Sequence, residues 1–213
     1  IKLNGSTAGS VALDAPASTT GNADINFKLP VADGSAGQVL QTDGSGNLSW
    51  VTLPTGGVAM HDNWYVNGGL DPAGGTNTIT ANWTRDTRTS VGSIGSAMTQ
   101  SSGLFAFPST GIYYCSINGG FYRGTGYRRY IGWTIKTTSD NSSYTHAVIN
   151  YDSISGDTNS NVSAAVSATC VFDVTNTSTH KMTFQTDASD SGAGITGVNG
   201  RYANVLFMRL GDT

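Results

Sequence analysis

One stretch constrains the fold more than any other: Ser102 to Tyr122, SGLFAFPSTGIYYCSINGGFY. Leu104, Phe105 and Phe107 lead to Pro108. Ser109-Thr110-Gly111 then turns the chain, and Ile112 to Ile117 runs on as an apolar, aromatic and β-branched segment. Two such runs around a short turn bounded by Pro and Gly predict a β-hairpin. Aromatic and β-branched side chains fit a pleated, half-buried surface, so both runs are expected to be central strands of a β domain.

The chain after Gly57 repeats this grammar. Val58 to Val66 (VAMHDNWYV), Thr78 to Arg85 (TITANWTR), Tyr127 to Thr137, Tyr144 to Tyr151, Val162 to Thr175, His180 to Thr186 and Tyr202 to Leu210 read as strands, with Ser90 to Gln100 as an extended lead-in. Ile131, Trp133 and Ile135 alternate with Tyr130, Gly132, Thr134 and Lys136, the pattern of a strand with one buried face. Gly124-Thr125-Gly126 marks a second turn, between Phe121-Tyr122 and Tyr127. The spacing gives roughly eight to ten strands, as in a β-sandwich. No capping box is followed by a run of period 3.6, so no helix is expected. Composition bears on one question here, whether so polar a chain folds. Charged residues are only 12% and glycines number 28, but four Trp, nine Tyr and seven Phe are enough to build a core.

A strand ending in Phe-x-x-Pro-x-x-Gly-x-Tyr resembles the signature of the complement and tumour-necrosis-factor jelly-roll superfamily, carried here by Phe105, Pro108, Gly111, Tyr113 and Tyr114. The resemblance implies a trimeric binding head that is not an enzyme. It also implies a terminal strand lying beside the first, with Val205 and Phe207 and the opposed Leu206 and Met208 divided between core and subunit contact. The chain departs from the collagen-fused complement proteins in having no Gly-X-Y repeat before the head.

Residues before Trp50 are of another kind. Ile25-Asn26-Phe27, Val39-Leu40 and Leu48-Ser49-Trp50 are short apolar words set among Gly, Asp, Ser and Pro. Asp43-Gly44-Ser45-Gly46-Asn47 predicts a tight turn joining Val39-Leu40-Gln41 to Leu48-Ser49-Trp50. No word is long enough to bury a core alone, so such strands need copies of themselves or another chain. The phrase LPVADGSAGQVLQTDGSGNLSW is similar to a segment recurring in tail-fibre and other structural proteins of bacteriophages, cyanobacterial phages among them. That resemblance implies a virion setting and carries no chemistry. Pro54 beside Gly56-Gly57 marks the expected boundary.

Chemistry is sparse. A net charge of −3 argues against nucleic acid as partner. No run approaches the ~18 apolar residues of a membrane span. No signal peptide is visible, and a start at Ile1 reads as a fragment or processed product. Cys115 and Cys170 fall in apolar runs, read first as buried free thiols, with a bridge left open. His61, His146 and His180 stand far apart, with no nucleophile elbow and no metal motif around them. Asp187 to Asp190 could take calcium, but a plain turn explains them more simply. The one concentrated feature is Phe121-Tyr122-Arg123-Gly124-Thr125-Gly126-Tyr127-Arg128-Arg129-Tyr130. Aromatic faces stack on sugars and Arg forks bind carboxylate or phosphate. Core, interface or solubilising roles explain the same residues.

The expectation is an all-β homotrimer: a short-stranded shaft or collar over residues 1–53 and a jelly-roll head over 54–213. Its function is expected to be that of a phage virion fibre displaying a host-glycan-binding head, with no catalytic residue, no metal and no cofactor. Other virion proteins are the expected partners of the N-terminal segment. Ligand contact is placed on Tyr122, Arg123, Tyr127, Arg128 and Arg129. Trimer or core roles are placed on Trp50, Phe105, Phe107, Tyr113, Val205 and Phe207. A polysaccharide-cleaving tail spike and a bacterial or secreted complement-like adhesin are the alternatives.

Overall fold

The computed structural model describes residues 2–4, 10–12, 16–53, 58–69, 74–123, 127–155, 162–190 and 203–213. The chain forms two compact units, Ile1–Gly56 and Gly57–Thr213. Most of the expected boundary, Pro54 to Gly57, and the turn Gly124-Thr125-Gly126 lie outside the described residues.

In the first unit, β1 (Lys2–Asn4) pairs antiparallel with β2 (Ser10–Ala12), and β3 (Gln38–Thr42) with β4 (Leu48–Thr52). The second pair is the hairpin that the Asp43–Asn47 cluster predicts. Asp43 Oδ1 accepts the backbone N–H groups of Ser45 at 2.8 Å and Asn47 at 3.1 Å. Gly44 and Gly46 take the left-handed conformations, φ 82° and 90°, that let so short a turn close. Trp50 lies over Gly34 and donates its indole N–H to Ala32 O at 2.9 Å. One 3₁₀ turn, Thr20–Asn22, is the only helical element among the described residues.

The second unit is a sandwich of two antiparallel sheets. One runs β13 (Val162–Val174), β10 (Gly111–Arg123), β15 (Ala203–Gly211), β5 (Met60–Val66), β7 (Trp83–Arg85). The other runs β12 (Thr145–Ile154), β11 (Arg128–Thr138), β14 (Lys181–Ala188), β9 (Leu104–Ala106), β8 (Thr99–Ser101), with β6 (Gly75–Thr78) also paired to β14. The terminal strand β15 lies beside β5, the first strand of the unit. Inward side chains meet around Phe105, whose ring contacts Trp64, Trp83, Phe184 and Phe207 at centroid distances of 5.1–5.4 Å. Phe107, Tyr113, Val205 and Phe207 are buried in the same core.

Three expectations need correction. The Phe105-to-Tyr113 stretch is not a hairpin: β9 pairs with β14 and β8 in one sheet, while β10 pairs with β13 and β15 in the other. Phe105, Phe107 and Tyr113 all seek the core, so the Pro108-to-Gly111 turn carries the chain across the sandwich, and the Tyr113 hydroxyl donates to Ser109 O at 3.0 Å to pin that corner. The same holds for Phe121 to Tyr130, since β10 and β11 belong to opposite sheets. Lastly, Thr78–Arg85 is not one strand. Asn82 at φ 64° breaks it, sending β6 to one sheet and β7 to the other.

Candidate ligand-binding surface

The Tyr-Arg stretch enters β11 through an irregularity. Ile131, Trp133 and Ile135 point into the core, so strict alternation would turn Arg128 outward. The register of β11 against β12 instead shifts between Arg128 and Ile131. Such a bulge re-aims the side chains before it. Arg128 is consequently fully buried and ion-paired with Asp190, while Arg129 stands exposed. The expectation that Arg128 meets an external acidic ligand is corrected on this ground, because its guanidinium already holds a carboxylate of its own chain.

Arg129 is drawn instead into a group assembled from three strands. Its guanidinium carbon sits 5.4 Å from the Tyr130 ring centroid. Tyr130 meets Tyr151 of β12 edge-on, centroids 5.2 Å apart. The Tyr151 hydroxyl donates to Asp187 Oδ2 of β14 at 2.7 Å. Gly132 makes this reach possible. It is in register with Tyr151 on one side and Asp187 on the other, and a side chain there would collide with the Tyr151 ring and the Asn150 carbonyl. With none, the Tyr151 ring crosses β11. Partial burial, and then the hydrogen bond to Asp187, push the Tyr151 phenol up to about 12. Two half-exposed aromatic rings thus lie on one surface between a guanidinium and a carboxylate, an arrangement able to stack on a ring and hydrogen-bond its hydroxyls.

Tyr127 is exposed just before β11 and Tyr122 is half-buried near the end of β10; the side chain of Arg123 lies outside the described residues. Tyr151 and Asp187 were missed as ligand contacts, since strands distant in sequence meet only through sheet order. Gly132, a glycine inside an aromatic strand, was the available signal. Asp187 and Asp190 are engaged by Tyr151 and Arg128, and among the described residues no three metal-ligating side chains converge. His180 is buried, stacked on Phe172 and bonded to Thr175 and Thr179, and His61 bonds Asn63.

A second surface lies on the outer face of the β10 sheet. Tyr114 is flanked in register by Val171 of β13 and Met208 of β15, and Leu206 continues the apolar row along β15, while Leu210 stands at the irregularity where β15 passes Ile112 and Tyr113. Val171 is 62% and Leu210 53% exposed.

No family model and no curated protein matches this sequence. Among solved structures, the tumour-necrosis-factor protein Eiger from S. frugiperda superposes with a TM-score of 0.51 at 13% identity, covering 74% of this chain and 96% of its own. The likeness is one of fold. It shows a jelly-roll fold like that of this tumour-necrosis-factor protein. Murine APRIL also aligns, with TM-score 0.47 and 12% identity over 71% of this chain and 98% of its own.

Proposed function

We propose that this chain is a homotrimeric binding protein, whose jelly-roll unit is a head presented in three copies. One observation carries the reading: the apolar row of Tyr114, Val171, Leu206 and Met208 on the outer face of a sheet whose inner face already holds the core. An apolar row left in part to solvent on the outer face of a sheet marks an interaction surface. A second copy is the occupant that both the jelly-roll fold and the sequence resemblance favour. Met208→Glu places a charge in the middle of that row without touching the core. The expected result is a trimer for the parent protein and a folded monomer for the variant, read by sedimentation and circular dichroism. A parent protein that sediments as a monomer overturns the proposal.

The finer reading is a phage virion fibre that acts by binding a host-surface glycan and not by catalysis. Its support is the LPVADGSAGQVLQTDGSGNLSW phrase together with the Arg129, Tyr130, Tyr151 and Asp187 surface. In a trimer that surface would recur three times, so weak single-site affinity gains roughly 10²–10⁴ by avidity. Replacing Arg129 and Tyr130 by Ala should weaken adsorption to host cells at least tenfold with assembly retained. Unchanged adsorption by an assembled double variant removes the surface from the reading.

A further inference from the structure

Cys115 and Cys170 face each other directly across the β10–β13 ladder. Opposed residues of an antiparallel pair have Cα atoms about 4.5–5.5 Å apart. A disulfide needs about 4.4–6.8 Å. Both side chains lie on the inward face of the sheet, Cys115 in line with Tyr113 and Ile117, Cys170 in line with Ala168 and Phe172. Their surroundings differ, however. Cys115 is fully buried, whereas Cys170 sits on an edge strand and keeps part of its surface in solvent.

We propose that Cys115 and Cys170 are a disulfide-forming pair, closed in the folded head by exchange with a small external disulfide such as glutathione disulfide. The asymmetry sets the order of events. Its neighbour Cys115 holds the Cys170 thiol below the usual thiol range, while burial pushes Cys115 up. Cys170 is also the less buried of the two, on an edge strand. Its thiolate attacks glutathione disulfide, forming a mixed disulfide and expelling one glutathione thiolate, which takes up a proton. Cys115 then loses its proton to solvent and attacks the Cys170 sulfur, expelling the second glutathione. Two protein thiols are oxidised and one glutathione disulfide is reduced to two thiols.

The bridge ties β13, an outer strand of its sheet, to β10, one residue from the Val171 and Tyr114 contact. Edge strands have paired neighbours on one side only and open most readily. A covalent tie at that position holds the register of the strand that carries Val171. The proposal stands on the ladder alone and does not depend on the trimer.

The test uses the full chain, incubated folded with glutathione disulfide, then denatured and alkylated. The expected protein has lost two hydrogens, about 2 Da, takes up no alkylating reagent, and yields a peptide linking Cys115 to Cys170. Cys115→Ser should stop at the glutathione adduct on Cys170, and Cys170→Ser should take up no glutathione while folded. The bridged protein should melt about 5–10 °C above the reduced one. Wild-type protein that keeps two alkylatable thiols, or that remains as the glutathione adduct, overturns the proposal. So does a bridged form that melts below the reduced one, since the native register would then not accommodate a disulfide.

Discussion

Phe105 is the residue on which most of the head converges. Four aromatic rings from β5, β7, β14 and β15 pack around its side chain, which is wholly buried. Phe105→Ala removes those contacts and leaves a cavity that strands of two sheets must close together. Phe-to-Ala changes of this kind cost about 3–5 kcal/mol. A thermal melt should fall by about 10 °C. Asp62 makes a different sort of hub. Its buried carboxylate accepts the Trp64 indole N–H at 2.9 Å, the Met98 backbone N–H at 2.9 Å and the Arg85 guanidinium at 2.6 Å. Asp62→Ala strands all three donors at once, and a loss of about 3 kcal/mol in urea unfolding is expected. Arg85→Ala leaves the Asp62 carboxylate, 1% exposed, without its counter-charge, so a loss of about 3 kcal/mol is expected there too.

Ionisation tests the candidate surface at the same scale. The Tyr151 phenol is raised from 10.0 to about 12, partial burial first and the Asp187 hydrogen bond second. The protonated form is the one favoured in the fold, so its contribution is intact below pH 10 and lost as pH rises through about 12. Ultraviolet titration should find a tyrosine ionising at about 12, and Asp187→Asn should bring it back toward the ordinary value. If the late phenol is unmoved by Asp187→Asn, the bond across Gly132 is not what holds it.

Elements explain why that surface exists. β11 carries a glycine at the point where β12 lays a tyrosine across it. Gly132→Ala drives a methyl group into the Asn150 carbonyl and the Tyr151 ring, so β12 must shift. The expected cost is about 1–3 kcal/mol. Amide exchange should quicken along β12 while the β10–β13 ladder stays protected. Much of this was legible: the runs that became β5, β10, β11, β12, β13, β14 and β15 were marked by alternation and aromatic content. Partnership was not. Phe105 to Tyr113 has the composition of a hairpin, yet β9 and β10 go to opposite sheets, because local pattern does not say which strand a strand will pair with. Arg128 shows the same limit at finer grain. A bulge inverts its facing, and bulges depend on the neighbouring strand's register, which no single stretch of sequence contains.

At the scale of the molecule the two units differ in what holds them. The head has a core of its own. In the first unit no side chain among residues 16–53 is buried, and Ile25, Phe27, Leu29 and Val31 alternate along an extended segment with more than half of each exposed. Ordering a backbone costs about 1–2 kcal/mol per residue, and burial must offset it. Within one copy that burial is missing, so the unit is expected to order only when further copies, or another chain, cover the apolar row. A peptide of residues 1–56 should give a disordered circular-dichroism spectrum at micromolar concentration. The full chain should show protection of the β3–β4 hairpin amides, and if the proposed homotrimer is what orders the unit, Met208→Glu should abolish that protection. A cooperative melt from the isolated peptide as a monomer would show that the segment carries a stability of its own, and that assembly is not what folds it.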